Sequence, residues 1–160
     1  NCPPYEAVSY VWGSYAALHR IRLNDRWFWI RDNLYKFLEH AAQGKILIKG
    51  LLSNPYRPQY LWIDQICIDQ SSGSEKNHQV QAMASIFERA ERVVCWLGQS
   101  DTDTNLGMDL IAEYVMLRAK HGYDWTRNAK MSENAAQRGI RNIFFRPYWH
   151  RLWIAQEFIL

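Results

Sequence analysis

Cysteine is scarce in this chain. Cys2, Cys67 and Cys95 are odd in number, widely spaced and form no CxxC pair, which excludes the disulfide framework of a small secreted domain. A reducing, cytoplasmic location is expected. The five histidines are scattered, and no Cys/His group has metal-ligand spacing, so a zinc site is not expected. There is no GxxxxGK[ST] loop, no GxGxxG after a strand and no HExxH. No apolar run reaches the roughly 18–20 residues of a membrane span, since Lys45, Lys49 and Pro55 interrupt the best stretch. Charge of one sign is lacking too. Lys+Arg of 19 against Asp+Glu of 16 leaves a net +3, without the massed basic residues that bind nucleic acid. No signal peptide is visible. The chain begins at Asn1 and stops on Ile159-Leu160 inside an apolar pattern, so it reads as a domain cut from a longer protein.

What is present fits one domain over residues 1–160. The chain is 48% hydrophobic and 22% charged, which excludes disorder. A chain of this length buries about 70% of its unfolded surface and needs no staple. Eight Trp and nine Tyr imply a packed core plus an aromatic-lined cleft or interface.

Ala7–Trp12 reads as a strand closed by Gly13-Ser14. Arg20–Leu23 and Trp27–Ile30 flank Asn24-Asp25-Arg26 as a small hairpin. Leu34, Phe37, Leu38, Ala41 and Ala42 have helical spacing, with Asp32 placed to cap the start and Gly44 the end. Residues 45–59 read as an exposed insertion. Tyr60–Asp64 reads as a second strand. Ser72-Gly73-Ser74-Glu75 is a capping box opening a helix with Val80, Met83, Ala84, Phe87 and Ala90 on one face. Arg92–Leu97 is a third strand, stopped by Gly98. Helices are expected over about 106–120 and from Asn134 onward, the latter broken by Pro147, with a polar loop between them. Strands alternating with helices predict an α/β fold around a mostly parallel sheet. Trp62 and Trp96, inside apolar strands, are then expected in the core.

Ligands of such sheets sit at the carboxyl ends of the strands. Those ends carry Trp12-Gly13-Ser14, Asp64 through Gln70, and Gly98 through Asp101. Asp64, straight off an apolar strand, is read as a contact for ligand hydroxyls or a ribose facing Gly13 across one cleft, and Asp69 either as a second such contact or, at least as well, as a turn cap. Trp12-Gly13 offers either an aromatic face and close backbone approach for a flat ligand, or a core tryptophan and a turn. Cys67 is read as a structural thiol rather than a nucleophile with His78 as base. Glu157 has Trp153, Ile154 and Leu160 at helical spacing, none basic, which weakens a surface ion pair as its explanation without removing it.

Taken together, four blocks resemble the fungal heterokaryon incompatibility (HET) domain. They are Tyr5–Gly13; Leu61–Asp64 with Cys67–Gln70; Glu75, Gln79-Val80, Met83, Ile86-Phe87, Ala90, Val93 and Trp96–Gly98; and the closing Arg151–Glu157. They follow the family's order across nearly the whole chain. Gln65 departs from the pattern, standing where a small residue is expected, which touches local packing.

The resemblance implies a domain that triggers programmed cell death when incompatible fungal cells fuse, usually as the effector part of a larger receptor-like protein. It also implies a distant similarity to TIR domains, and hence a TIR/flavodoxin-like sheet flanked by helices, with a small hairpin and a helical insertion. In enzymatic TIR domains a glutamate serves NAD cleavage; Glu157, four residues after Trp153, is the matching position. Catalysis would then rest on Glu157, with Ser9, Trp12, Gly13, Asp64, Arg151 and Trp153 as nucleotide contacts and NAD as substrate rather than a tightly held cofactor. TIR domains also act as pure assembly modules. A non-enzymatic module that kills by oligomerising, through self-association or partner domains of the parent protein, therefore remains the other reading.

Overall fold

The computed structural model describes residues 2–16, 18–43, 60–121 and 134–151. It divides into two units, residues 1–98 with 150–160, and residues 99–149.

In the first unit the strand β1 (Glu6–Tyr10) is buried at every residue and pairs in parallel on both sides. Its neighbours are β4 (Leu61–Trp62) and β5 (Arg92–Trp96), giving the order β4-β1-β5. Between β1 and β4 the chain forms an antiparallel hairpin, β2 (Leu18–Leu23) and β3 (Arg26–Arg31), and then the helix α1 (Asp32–Ala42). Between β4 and β5 come the single turn α2 (Asp64–Cys67) and the helix α3 (Gly73–Glu88). The period-two alternation of β1 sends Val8 and Tyr10 into one layer with Leu34 and Phe37 of α1, Ile30 and Ile63. Ala7 points the other way, onto Met83 and Phe87 of α3. Helices thus cover both faces, as expected of a parallel sheet.

Several local expectations change. The hairpin turn is two residues, Asn24 and Asp25, both at positive φ (48° and 62°), because Arg26 already pairs with Leu23. Asn and Asp tolerate that left-handed conformation best after glycine. Asp32 does not cap α1. With β3 running straight into the helix, Arg31 takes the cap position, and the Asp32 carboxylate instead binds Lys36 at 2.6 Å and His19 at 2.9 Å. The hydrogen bond from Lys36 is the main cause of its lowered pKa. The second strand is shorter than expected, because the chain turns at Ile63, whose carbonyl accepts the N–H groups of Ile66 and Cys67, and Asp64 opens α2. At α3 the capping box is half formed. Ser72 Oγ accepts from Glu75 N, but the Glu75 carboxylate takes the Asp69 N–H at 3.0 Å rather than that of Ser72. The expected cap at Gly44 and the insertion over 45–59 lie outside the described residues.

Trp62 and Trp96 belong to the two packing layers, but each is only half-buried. Trp62 meets Phe87 edge-on, ring centroids 5.7 Å apart, and its rim borders a surface groove with Tyr5 and Tyr60. Trp96 donates its indole N–H to Asn33 Oδ1 at 2.9 Å. Trp62→Ala is therefore expected to cost about 2–3 kcal/mol, below the usual loss for a fully enclosed tryptophan. Urea unfolding should show a shifted but still cooperative transition; a change under about 0.5 kcal/mol would contradict its packing role.

The second unit, helical among its described residues, is inserted between Gly98 and His150 of the first. Its helix α4 (Thr102–His121) starts four residues earlier than expected, because Asp101 and Thr104 cap it reciprocally: each side chain accepts the other's backbone N–H at 2.8 Å. The helix α5 (Ala135–Phe144) opens on an Asn134/Gln137 capping box. A 3-10 turn, Pro147–His150, follows where Pro147 stops the helix. The polar loop between α4 and α5 lies outside the described residues.

Candidate functional site

After β1 the chain runs into the hairpin and α1, and after β4 through α2 into α3 on the other face of the sheet, with Ile63 and Ile66 just past β4 still packed in the α1 layer. A crevice at the carboxyl ends of the strands is the favoured ligand position in such sheets. A cavity of about 350 Å³ occupies it. Trp12 and Gly13 line it from the end of β1, Asp64, Ile68 and Gln70 from the segment after β4, Lys76, Val80 and Met83 from α3, and Arg151 from the end of the described chain. A larger groove, about 830 Å³, lies at the amino ends of the same strands with an aromatic and proline-rich wall.

Asp64 is the centre of the cavity's hydrogen bonding. Its carboxylate accepts the Trp12 indole N–H at 2.6 Å and its neighbour Gln65 N–H at 2.7 Å. Desolvation pushes its pKa up; hydrogen bonds from Trp12, Tyr10 and Gln65 and the charge of Arg151 pull the other way without cancelling it. Tyr10, enclosed in the core, has its own pKa raised by burial and by Asp64. Gln65 is buried and its Oε1 accepts from the Tyr10 hydroxyl at 3.4 Å. Gln70 donates to the Asp64 carbonyl at 3.0 Å and fixes the loop.

The cationic side is built separately. Arg151 donates to Ser9 Oγ at 3.1 Å; Ser9 is buried and outside the lining, so it positions Arg151 rather than facing the cavity. Lys76 has no carboxylate partner among the described residues. Two cations against one carboxylate suit an anionic ligand. Gly13 has φ +77°, where a side chain would be strained, and its carbonyl accepts from Arg31 at 2.8 Å. The Arg31 guanidinium also lies 4.7 Å from the Trp12 ring centroid, so one face of that indole is already covered.

Cys67 does not have the surroundings of a nucleophile. Its sulfur accepts the Ile63 N–H at 3.4 Å, while desolvation and the Asp64 charge push the thiol pKa up. The residue is nevertheless exposed. Exposed His78 makes no bond to it. Asp69 caps the turn, accepting from the Ser71 N–H and hydroxyl.

Of the residues expected to form the site, Trp12, Gly13, Asp64 and Arg151 line one cavity, and Ser9 holds Arg151. Trp153 and Glu157 lie outside the described residues. The cleft takes in the ends of β1 and β4; Gly98 is not in its lining, and Gln99 through Asp101 belong to the second unit, where Asp101 caps α4. Lys76 was missed, although Lys76, Val80 and Met83 are spaced i, i+4 and i+7 on α3 and so share a face. No sequence signal reveals Arg31 against Trp12, a contact made only by folding.

Asp64 sets a pH dependence with a definite sign. Its folded pKa is raised, so the folded chain holds this proton more tightly than the unfolded one. Its contribution is fully present below the unfolded pKa and is lost as pH rises through the folded pKa. Asp64→Asn keeps an oxygen for Trp12 but sets its amide NH2 against the Gln65 N–H, so the variant is expected to lack this slope whatever its melting temperature. Melting curves between pH 3 and 8 test it; an Asn variant that keeps the wild-type slope contradicts the desolvated-carboxylate account.

A three-stranded parallel sheet with helices on both faces and a small antiparallel hairpin defines a mixed α/β architecture. Residues 5–157 match the model of the family described as Heterokaryon incompatibility protein (HET), and the chain belongs to that family. It is similar to Heterokaryon incompatibility protein 6, OR allele, of Neurospora crassa, with 39% identity over 119 residues. The match covers 69% of this chain and 17% of that protein. No solved structure matches the chain. Among the described residues no helix is long and apolar enough to cross a membrane.

Proposed function

We propose that the chain acts in fungal heterokaryon incompatibility, as a cytoplasmic cell-death effector that cleaves NAD or a related nucleotide. The observation that carries this reading is the crevice holding Asp64, Gly13, Lys76 and Arg151 together at the carboxyl edge of the sheet. Asp64 would accept hydrogen bonds from ribose hydroxyls, and Arg151 and Lys76 would take phosphate oxygens. Breaking the ribosyl–nicotinamide bond leaves its electron pair on the pyridinium nitrogen and develops an oxocarbenium-like centre. A carboxylate stabilises that centre. Glu157 is assigned this part by the TIR-like pattern it shares with Trp153, which would pack on the nicotinamide ring. Water then bonds to the anomeric carbon and releases one proton, giving nicotinamide and the ribosylated remainder.

The experiment is incubation of the purified chain with NAD, following nicotinamide release at low and high protein concentration. Release above the rate without protein supports the enzyme, and a rate per molecule that climbs with concentration adds self-association to the requirement. Cell death on expression, with no NAD loss at either concentration, would leave the oligomerising module in its place.

A further inference from the structure

The hairpin carries a second candidate surface, independent of the crevice. In its register Arg20 faces Trp29 and Arg22 faces Trp27, so these four side chains share one side of the two-stranded sheet. The opposite side supplies Ile30, Ile21 and Phe28 to the core, which meets the hairpin's packing needs. The outward side nevertheless leaves Trp27 60% and Trp29 57% exposed. Tryptophan is costly to leave open to water, and Trp beside Arg is the composition of interface hot spots.

The Arg20 guanidinium lies 4.1 Å from the Trp27 ring centroid and 6.0 Å from that of Trp29. Stacking occupies the flat faces of a guanidinium and leaves its N–H edge to bind a carboxylate. Arg20 has no carboxylate or carbonyl partner among the described residues. We propose that this face docks an acidic protein segment, with a partner carboxylate on Arg20 and neighbouring apolar side chains against Trp27 and Trp29.

Charge complementarity favours this occupant over two others. Arg22 is already engaged by Asp25 at 2.9 Å, so the face offers one uncommitted guanidinium rather than the row that tracks a nucleic-acid backbone. At the hairpin tip Asp25 neutralises Arg22, so that pair offers no net positive charge to an anionic membrane surface.

The test is selection of a random dodecapeptide display library on the immobilised full chain, followed by calorimetry with a selected synthetic peptide. Peptides enriched in Asp or Glu beside apolar residues are expected, with affinity falling as salt rises. Arg20→Gln and, separately, Trp29→Ser should each weaken binding about tenfold or more, with unchanged melting because both sites are exposed. Selected peptides without acidic enrichment, or wild-type affinity retained by either variant, would overturn the proposal. So would stronger binding to phosphatidylserine vesicles or to a thymidine 15-mer than to any selected peptide.

Discussion

Glu157→Gln is expected to abolish nicotinamide release and cell killing together while leaving the melting temperature unchanged. The substitution is nearly isosteric and keeps a carbonyl acceptor, so whatever accepts a hydrogen bond there still does. On the proposed NAD cleavage, what disappears is the negative charge that would favour the oxocarbenium-like centre. Removing one group aimed at developing charge costs about 10²–10³ in rate, so the residual turnover should fall to the background of the assay. The decisive measurement pairs thermal melting with nicotinamide release for wild type and variant. Asp64→Asn serves as the comparison. A lost ribose contact to a charged acceptor is worth roughly 1.5–3 kcal/mol, so its turnover should drop by about 10- to 100-fold rather than vanish. Robust cell death from a folded Glu157→Gln protein, with no NAD loss in either form, would falsify NAD cleavage and favour assembly.

Gly139→Ala is expected to destabilise the second unit by about 3 kcal/mol, although alanine is the better helix former by about 1 kcal/mol. Gly139 is buried in α5, and a Cβ there would stand 1.8 Å from the Asp103 carbonyl oxygen and 3.1 Å from Gly107 N. The reciprocal position is less tight but still closed: a Cβ on Gly107 would stand 2.6 Å from Ile140 N. Both obstacles are backbone, so no side-chain rotation relieves them. Either the helices separate, or the Asp103–Arg138 ion pair beside the crossing and the α5 packing are lost. Gly73→Ala is the internal control. It lies in the first turn of α3 with nothing within 4 Å of its added methyl, so its stability should hold or rise slightly. Urea unfolding of the two variants gives the answer, and equal midpoints would refute the close backbone approach.

Much of the architecture was determined by the sequence alone. Apolar runs at Ala7–Trp12, Tyr60–Asp64 and Arg92–Leu97, separated by helical periodicity, suffice for a parallel sheet, because period and length are local properties. The same letters carried the family, since Tyr5–Gly13 and Arg151–Glu157 keep their order whatever the packing. Asp64 and Gly13 were legible as crevice residues because a parallel sheet sends its carboxyl ends to one edge. Cap details were not. Asp32 and Glu75 had the right spacing, but a carboxylate binds whichever donor the fold brings nearest, and that was Lys36 for one and Asp69 N for the other. Lys76 joins the site only because α3 lies over the β1–β4 edge, and Ser9 reaches Arg151 across 142 residues of chain. The exposure of Trp27 and Trp29 was likewise a tertiary outcome. Alternation places them on one side of the hairpin, but only packing decided that the core would take Phe28 and Ile30 and leave the indoles to water.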